Sequence, residues 1–358
     1  MKILFLIPYP LKEAPSQRFR FEQYIELLSE KGFNVQFQSF LDSHNWHFFF
    51  KSGNFFKKVG ALARGFLKRF FILFKISRYS LVFIHREATP IGPPIVEWII
   101  SKVFKKKIIY DFDDAIWLTD RQNEGVFLRT MKWRSKVRSI CRWSYKVSCG
   151  NNYLADYARQ FSAQVVHNPT TIDTESLHNP NLFPSTIQKK NIVIGWTGSH
   201  STLKYLVDIE TILKKITDRH TNVNILVIAD RAPGLSLKEL IFIPWSSDNE
   251  MIDLLKMDIG IMPLPNDEWS KGKCGFKALQ YMAMKIPTVA SPVGVNTTII
   301  DQGINGYLCA TEEEWIDTLE MLINNAALRR EIGEYARKKV VTNYSTRSNS
   351  STFLSLFE

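Results

Sequence analysis

Short apolar runs, each ending in polar or proline-bearing residues, alternate with helical stretches along this chain, and the alternation occurs twice. "KILFLIPYP" reads as a buried strand running into a proline loop. "RFRFEQYIELLSEKGF" reads as the helix after it, with Phe21, Tyr24, Ile25 and Leu28 on one face and Gly32 as its stop. "NVQFQSF", "LVFIHRE", "KKIIYDFDD" and "YKVSCG" read as further strands of a parallel sheet. The second half repeats the pattern: "NIVIGWTGS" strand, "TLKYLVDIETILKKI" helix, "VNILVIAD" strand, "NEMIDLLKM" helix, "DIGIMPL" strand, then a further helix and "IPTVAS". The economical reading is α/β, two doubly wound halves joined after "VVHNPTTID".

At 358 residues and 45% hydrophobic, the chain is long enough for two cores and too apolar for disorder. Its net charge of +11 suits phosphate-bearing partners or an anionic membrane surface. Cys141, Cys149, Cys274 and Cys309 lack metal-site spacing, so reduced thiols are expected and no metal. The opening apolar run is broken by prolines and lacks a cleavage site, which argues against a signal peptide, and no run reaches membrane-spanning length.

Ligands of such sheets bind beyond the carboxyl ends of the strands. "GWTGSHSTLKYL" puts Gly195 and Gly198 after a strand, then Ser199 and His200 at a helix start, then Lys204; hydroxyls, free N–H groups and a lysine can hold a phosphate. "KGKCGFKALQYMA" does the same in another register. Its helix begins near Gly275 without a Ser or Asp cap, so an anionic ligand at Lys273, Cys274, Gly275, Phe276 and Lys277 can supply the missing cap. Lys273, Lys277 and Gln280 recur on one face, and Phe276, Leu279, Met282 and Ala283 form the buried one. The alternative is a plain glycine-rich turn with solvated lysines.

These stretches resemble the GT-B glycosyltransferases, specifically the retaining family 4 type. "MKILFLIPYP" with "SQRFRFEQYIELLSEKGFNV" resembles the first strand, acceptor loop and first helix of that group. "VVHNPTTIDTE" resembles its hinge, and "DIGIMPLPNDEWSKGKCGFKALQYMAMKIPTVASPVGVNTTIIDQGINGYLC" its donor-binding core. The resemblance implies two facing Rossmann-like domains: residues 1–170 for the acceptor and 171–342 for the nucleotide sugar, with 343–358 returning to the first domain. The family's two glutamates, eight positions apart, fall on Gly272 and Gln280, so a carboxylate toward the donor sugar would come from elsewhere, such as Asp267 or Glu268. Its arginine falls near Trp196 or Ser199, which leaves Lys204 and Lys273 as the basic phosphate ligands. The resemblance places Asp113 and Asp114 at the cleft, touching the donor sugar or orienting the acceptor hydroxyl, in a site where a carboxylate pair can raise one pKa. It puts Arg18 and Arg20 beside the acceptor, with His85 and Arg86 of "HRE" on the same edge. Asp-Phe-Asp also resembles the metal-binding Asp-x-Asp of GT-A enzymes, but the two-domain pattern and basic loops favour neutralisation of the diphosphate without a cation.

Residues 43–86 contain no Asp or Glu. Phe55, Phe56, Val59, Leu62, Phe66, Phe70, Leu73 and Phe74 recur at helical spacing with Lys57, Arg64, Lys68 and Lys75 between them. The stretch 47–78 therefore suits either an anionic membrane surface or a helix packed on the first sheet; no nucleic-acid-binding motif accompanies the charge. The expectation is a cytoplasmic glycosyltransferase, peripheral at the inner face of the plasma membrane. It would use a UDP- or GDP-linked sugar and no cofactor, and act on a glycan or polyprenyl-linked acceptor. An inactive donor-binding scaffold and a GT-B epimerase are the alternatives.

Overall fold

In the computed structural model, which describes residues 1–49, 53–119, 125–183 and 190–358, the chain forms two units: Met1–Thr170 with Asn349–Glu358, and Thr171–Ser348. The first is built on six parallel strands, β1 (Lys2–Ile7), β2 (Asn34–Ser39), β3 (Leu81–His85), β4 (Lys107–Phe112), β5 (Lys146–Cys149) and β6 (Val165–His167), in the order β2-β1-β3-β4-β5-β6. The chain reverses direction across the sheet between β1 and β3, which opens a crevice at their carboxyl ends. Phe5 stacks on Phe83 at 4.5 Å between ring centroids. Phe353, Leu356 and Phe357 complete this core from the chain's last residues, with Phe353 stacked on Tyr24 at 4.2 Å.

The helix expected after β1 is broken into Pro15–Arg18, a 3-10 turn at Glu22–Tyr24 and Ile25–Glu30. The break lets Gln17 turn inward, where it accepts from the Tyr9 N–H at 3.0 Å and donates to the Tyr9 and Pro10 carbonyls, pinning the proline loop. Gly32 ends the segment at φ +76°, a conformation a side chain disfavours.

The helix Phe55–Leu73 packs on this unit through Ala61, Gly65, Arg69, Ile72 and Leu73. Gly65 lies under the Phe40 ring, where a Cβ would sit 2.6 Å from it. Arg69 is fully buried and donates to the carbonyls of Ile7 (2.8 Å), Gln38 (2.8 Å) and Ala88 (2.7 Å) and to the Gln38 amide oxygen (2.7 Å). Phe55, Phe56, Val59, Phe66 and Phe70 are exposed, whereas Leu62 is half-buried and Leu73 buried, so those two leucines belong to the packed side and not to a free apolar face. Residues 50–52 of the stretch 47–78 lie outside the described residues. Among the described residues no helix is long and apolar enough to cross a membrane.

The second unit has β7 (Ile192–Gly198), β8 (Val223–Ala229), β9 (Leu240–Pro244), β10 (Ile259–Met262), β11 (Thr288–Ala290) and β12 (Tyr307–Leu308), all parallel, in the order β12-β11-β10-β7-β8-β9. The order reverses between β7 and β10, so the loops after those two strands flank the crevice. Two glycines let side chains press onto the sheet there: a Cβ on Gly195 would meet Met257 at 2.2 Å and one on Gly260 would meet Tyr281 at 2.5 Å. The helix Phe276–Ala283 is covered by β10 on one side and by the helix Ala326–Asn343 on another. Cys141, Cys149, Cys274 and Cys309 are buried free thiols.

Candidate active site

In the second unit the loops after β7 and β10 come together. Gly198 ends β7 so close to the next loop that a Cβ would meet the Trp196 ring at 2.5 Å and Lys277 Cε at 2.8 Å. The Lys277 ammonium lies 5.3 Å from the Trp196 ring centroid, which fixes its direction by cation–π attraction. The helix carrying Lys277 starts at Gly275, whose φ of +70° and whose contact with Ile299, where a Cβ would sit at 2.3 Å, both exclude a side chain. No side chain of the cap residue closes that start, and the positive end of the helix lies beside Lys277. Lys273 is half-buried with its ammonium 4.8 Å from the Trp269 ring centroid, and Cys274 is buried under the turn. Phe276 is half-buried at the first helical position.

Beyond Gly198, the Ser199 hydroxyl lies 2.8 Å from that of Ser201. Asp230, at the end of β8, holds His200 twice at 2.6 Å, through its backbone N–H and through Nδ1. Lys204 is exposed in the next turn, its ammonium 5.0 Å from the Tyr205 ring centroid. The Tyr281 hydroxyl accepts from the Thr197 N–H at 2.9 Å, tying the helix after Gly275 to β7; burial pushes that phenol well above its ordinary range. Lys277 and the positive helix end beside Gly198 suit the negative charge of a diphosphate.

Gln280 stands apart from these groups. It is buried, not on a shared face with Lys273 and Lys277, because the helix is enclosed from its second turn onward. Its amide nitrogen lies 3.1 Å from the Glu250 carboxylate and 3.3 Å from His178 Nε2. The Glu250 carboxylate calls for a donor, which a glutamine has and an ionised carboxylate lacks. The Gln280 side chain is thus committed inside the protein and is not presented with the two lysines.

In the first unit, Arg86 and the Asp113–Asp114 pair meet beyond the ends of β3 and β4. Arg86 Nε lies 2.9 Å from Asp113, and Nη2 lies 2.8 Å from Asp114, with all three side chains partly exposed. Burial disfavours the guanidinium charge, but the two carboxylates outweigh it and push its pKa further up. Arg86 adopts φ +60°, a strained conformation for a residue with a side chain, and its N–H donates to the Asp111 carbonyl at 2.7 Å. Tyr9 feels Arg86, Glu87, Asp113 and Asp114, and burial raises its phenol pKa. Glu87 pairs with Lys136 at 2.7 Å; burial raises its carboxyl pKa and Lys136 opposes the rise. Arg18 is half-buried against the Phe19 ring at 5.0 Å.

Arg20 and His85 do not join this cluster. Both are buried, with Arg20 fixed to the Asp111 carboxylate and the Asn168 carbonyl, and His85 Nδ1 2.8 Å from Asp111. Ser148 joins them, accepting from Arg20 at 3.1 Å and donating to Asp111 at 2.6 Å. Burial would raise the Asp111 pKa, but Arg20 and His85 outweigh it and hold the carboxylate far below its ordinary range. This network ties the segment after β1 to β3, β4 and β5, so Arg20 and His85 hold the scaffold and do not present their side chains to an acceptor. Asp111 and Asp113, the two acids of Asp-Phe-Asp, are separately bound to Arg20 and Arg86. Among the described residues no group of three or more His, Cys, Asp or Glu side chains is arranged to hold a metal ion.

Sequence reasoning passed over Asp230, although it ends a strand like the residues that were picked out. It also passed over Glu250 and His178, whose approach to Gln280 across 30 and 102 positions leaves no local signal.

Residues 181–339 match the family described as glycosyl transferases group 1. No curated protein matches the chain. Several solved structures share its architecture. A sucrose-phosphate synthase from Thermosynechococcus elongatus superposes with a TM-score of 0.69 at 13% identity, over 100% of this chain and 98% of the other. A glycosyltransferase from Rickettsia africae gives 0.64 at 15% identity over 100% and 98%. HepE from Anabaena, solved in complex with UDP and glucose, gives 0.63 at 13% identity over 100% and 99%.

Proposed function

We propose that this chain, a glycosyltransferase of the GT-B fold whose residues 181–339 belong to the glycosyl transferases group 1, moves a sugar from a UDP- or GDP-linked donor to a glycan or polyprenyl-linked acceptor. It does so with retention of configuration and without a metal or other cofactor, in the assembly of a cell-surface polysaccharide or glycolipid at the inner face of the plasma membrane. The observation that carries the reading is the convergence of Gly198, the uncapped helix start at Gly275 and Lys277 at the reversal point of the second sheet. HepE, with the same architecture, holds UDP and glucose.

Breaking a sugar–phosphate bond builds negative charge on the departing diphosphate. Donors already aimed at that charge stabilise the transition state without reorganising, which is commonly the largest catalytic contribution. The positive end of the helix that begins at Phe276 and the cations Lys273, Lys277 and Lys204 offset that charge here, in the place a metal ion takes in other transferases. Asp113 and Asp114, held by Arg86, take the acceptor side, where one carboxylate orients the acceptor hydroxyl and the departing phosphate takes its proton.

Thermal-shift measurements against UDP, GDP, ADP and their sugars test the reading, with Lys273→Ala and Lys277→Ala beside the parent. A nucleotide at a hundred times its dissociation constant stabilises by about 2.7 kcal/mol. One nucleotide class should stabilise the parent, and the lysine variants should lose most of the shift. No shift with any nucleotide defeats the donor assignment. Binding without transfer or hydrolysis identifies a scaffold, and interconversion of the free nucleotide sugar an epimerase.

A further inference from the structure

We propose that the helix Phe55–Leu73 lies in the plane of an anionic lipid bilayer, its phenylalanine face inserted and its cations level with the lipid phosphates. The proposal rests on the membrane placement in the reading above and adds the surface, its orientation and the lipid charge it requires.

At about 3.6 residues per turn, the helix divides into three sectors. Ala61, Gly65, Arg69 and Ile72 form the sector packed on the first unit. Lys57, Arg64, Lys68 and Lys75 fall in a narrow stripe beside it. The remaining arc carries Phe55, Phe56, Leu67, Phe70, Phe71 and Phe74, all exposed; Phe56 is 86%, Phe71 61% and Phe74 71% accessible. A single exposed apolar residue needs no explanation, but a continuous aromatic arc spanning roughly 28 Å of helix does.

The occupant follows from the charge beside the arc. The segment 43–86 has no carboxylate, and the helix with Lys75 carries six cations. Arg64 and Lys68 reach one acid, Asp42, at 3.6 Å, which leaves the stripe strongly positive. An apolar arc margined by lysines along its whole length is what a helix lying at an anionic lipid surface needs. Arg69 and the close fit of Gly65 under Phe40 fix the helix's rotation, so the aromatic face is outward by construction and cannot turn in to hide. The neighbouring short helix Ile95–Trp98 touches this one and adds exposed Ile95 and Trp98 to the unit.

The test is flotation of the full chain with phosphatidylcholine vesicles, with and without one-third phosphatidylglycerol, at low and high salt. UDP- and GDP-induced thermal shifts are measured on the same samples. Two variants accompany the parent: Phe56→Ser/Phe70→Ser/Phe71→Ser/Phe74→Ser and Lys57→Glu/Arg64→Glu/Lys75→Glu. All changed positions are exposed, so both variants should fold. The parent should float with anionic vesicles at least about tenfold more than with neutral ones, and high salt should reduce the difference. The serine variant should lose flotation, and the glutamate variant should bind anionic vesicles at least about tenfold more weakly. Equal flotation of parent and serine variant overturns the proposal. So does a parent that ignores lipid but is dimeric where the serine variant is monomeric, which makes the face a contact between copies. Nucleotide shifts retained in both variants separate the two questions: lost shifts in the parent defeat the donor reading and leave the lipid result standing.

Discussion

The Lys277 ammonium sits 5.3 Å from the centroid of the Trp196 ring, and the absence of a side chain at Gly198 is what leaves room for it. Gly198→Ala should therefore act on Lys277 first, since the far end of a lysine moves more readily than a buried indole. The variant should lose about 1–3 kcal/mol of stability through overpacking and a larger share of its nucleotide-induced shift. Lys277→Met keeps the stem against Trp196 and removes the charge, so it should melt near the parent while losing the nucleotide shift. Thermal melts with and without nucleotide distinguish the two.

Asp113→Asn and Asp114→Asn should leave nucleotide binding intact, because both belong to the first unit and the donor loops to the second, and one of them should lower turnover by about a hundredfold or more. Single-turnover transfer assays beside nucleotide titrations read both quantities. Unchanged turnover in both variants removes the pair from the chemistry. Arg86→Gly should relax the backbone at φ +60° yet release both carboxylates, so a variant with normal stability and lowered turnover would show that the guanidinium orients them.

The architecture was largely legible because parallel strands announce themselves as apolar runs. β9 escaped because it is a sheet edge with only partly covered residues, and β12 because it is two residues long. The Phe55–Leu73 helix shows the limit more sharply. Its period was plain, but Gly65 and Arg69 lie inside while the phenylalanines lie outside, reversing the sorting that hydropathy assumes. In the candidate site, Gly198, Gly275 and the lysines could be read locally, since glycine conformation and helix starts are local matters. Gln280, Arg20 and His85 were misread because the groups that claim them, Glu250 and Asp111, reach them through the fold.

Gln280→Glu tests that last point. It would put a second buried carboxyl next to Glu250, where the amide now donates at 3.1 Å, and burial with like charge raises the pKa of one of them. A carboxyl whose folded pKa is raised stays protonated in the fold while the unfolded chain ionises near about pH 4.3. The deficit should thus be small near that pH and grow as pH rises. Urea unfolding from acid to neutral pH should show a gap between variant and parent that widens upward; a constant gap would mean that the two groups do not interact.

Asp111 has the opposite sign. Its folded pKa is depressed, so its contribution is fully present above the unfolded value of about 3.9 and fades as pH falls toward the folded one. Asp111→Asn should flatten the acid limb of the stability profile and, by leaving Arg20 uncompensated, cost about 3–5 kcal/mol at neutral pH. Denaturant midpoints at pH 7 and below pH 4 give both numbers.

Arg69 ties its helix to the first sheet mainly through main-chain carbonyls, those of Ile7, Gln38 and Ala88. Carbonyls are common to every amino acid, so the attachment does not depend on which side chains the neighbouring loops carry. If Arg86, Asp113 and Asp114 meet the acceptor as proposed, they can be exchanged for residues suited to a different one while the helix keeps its seat. Anchorage and specificity are then separately mutable traits of one sheet, and a lineage could diversify the second without relearning the first.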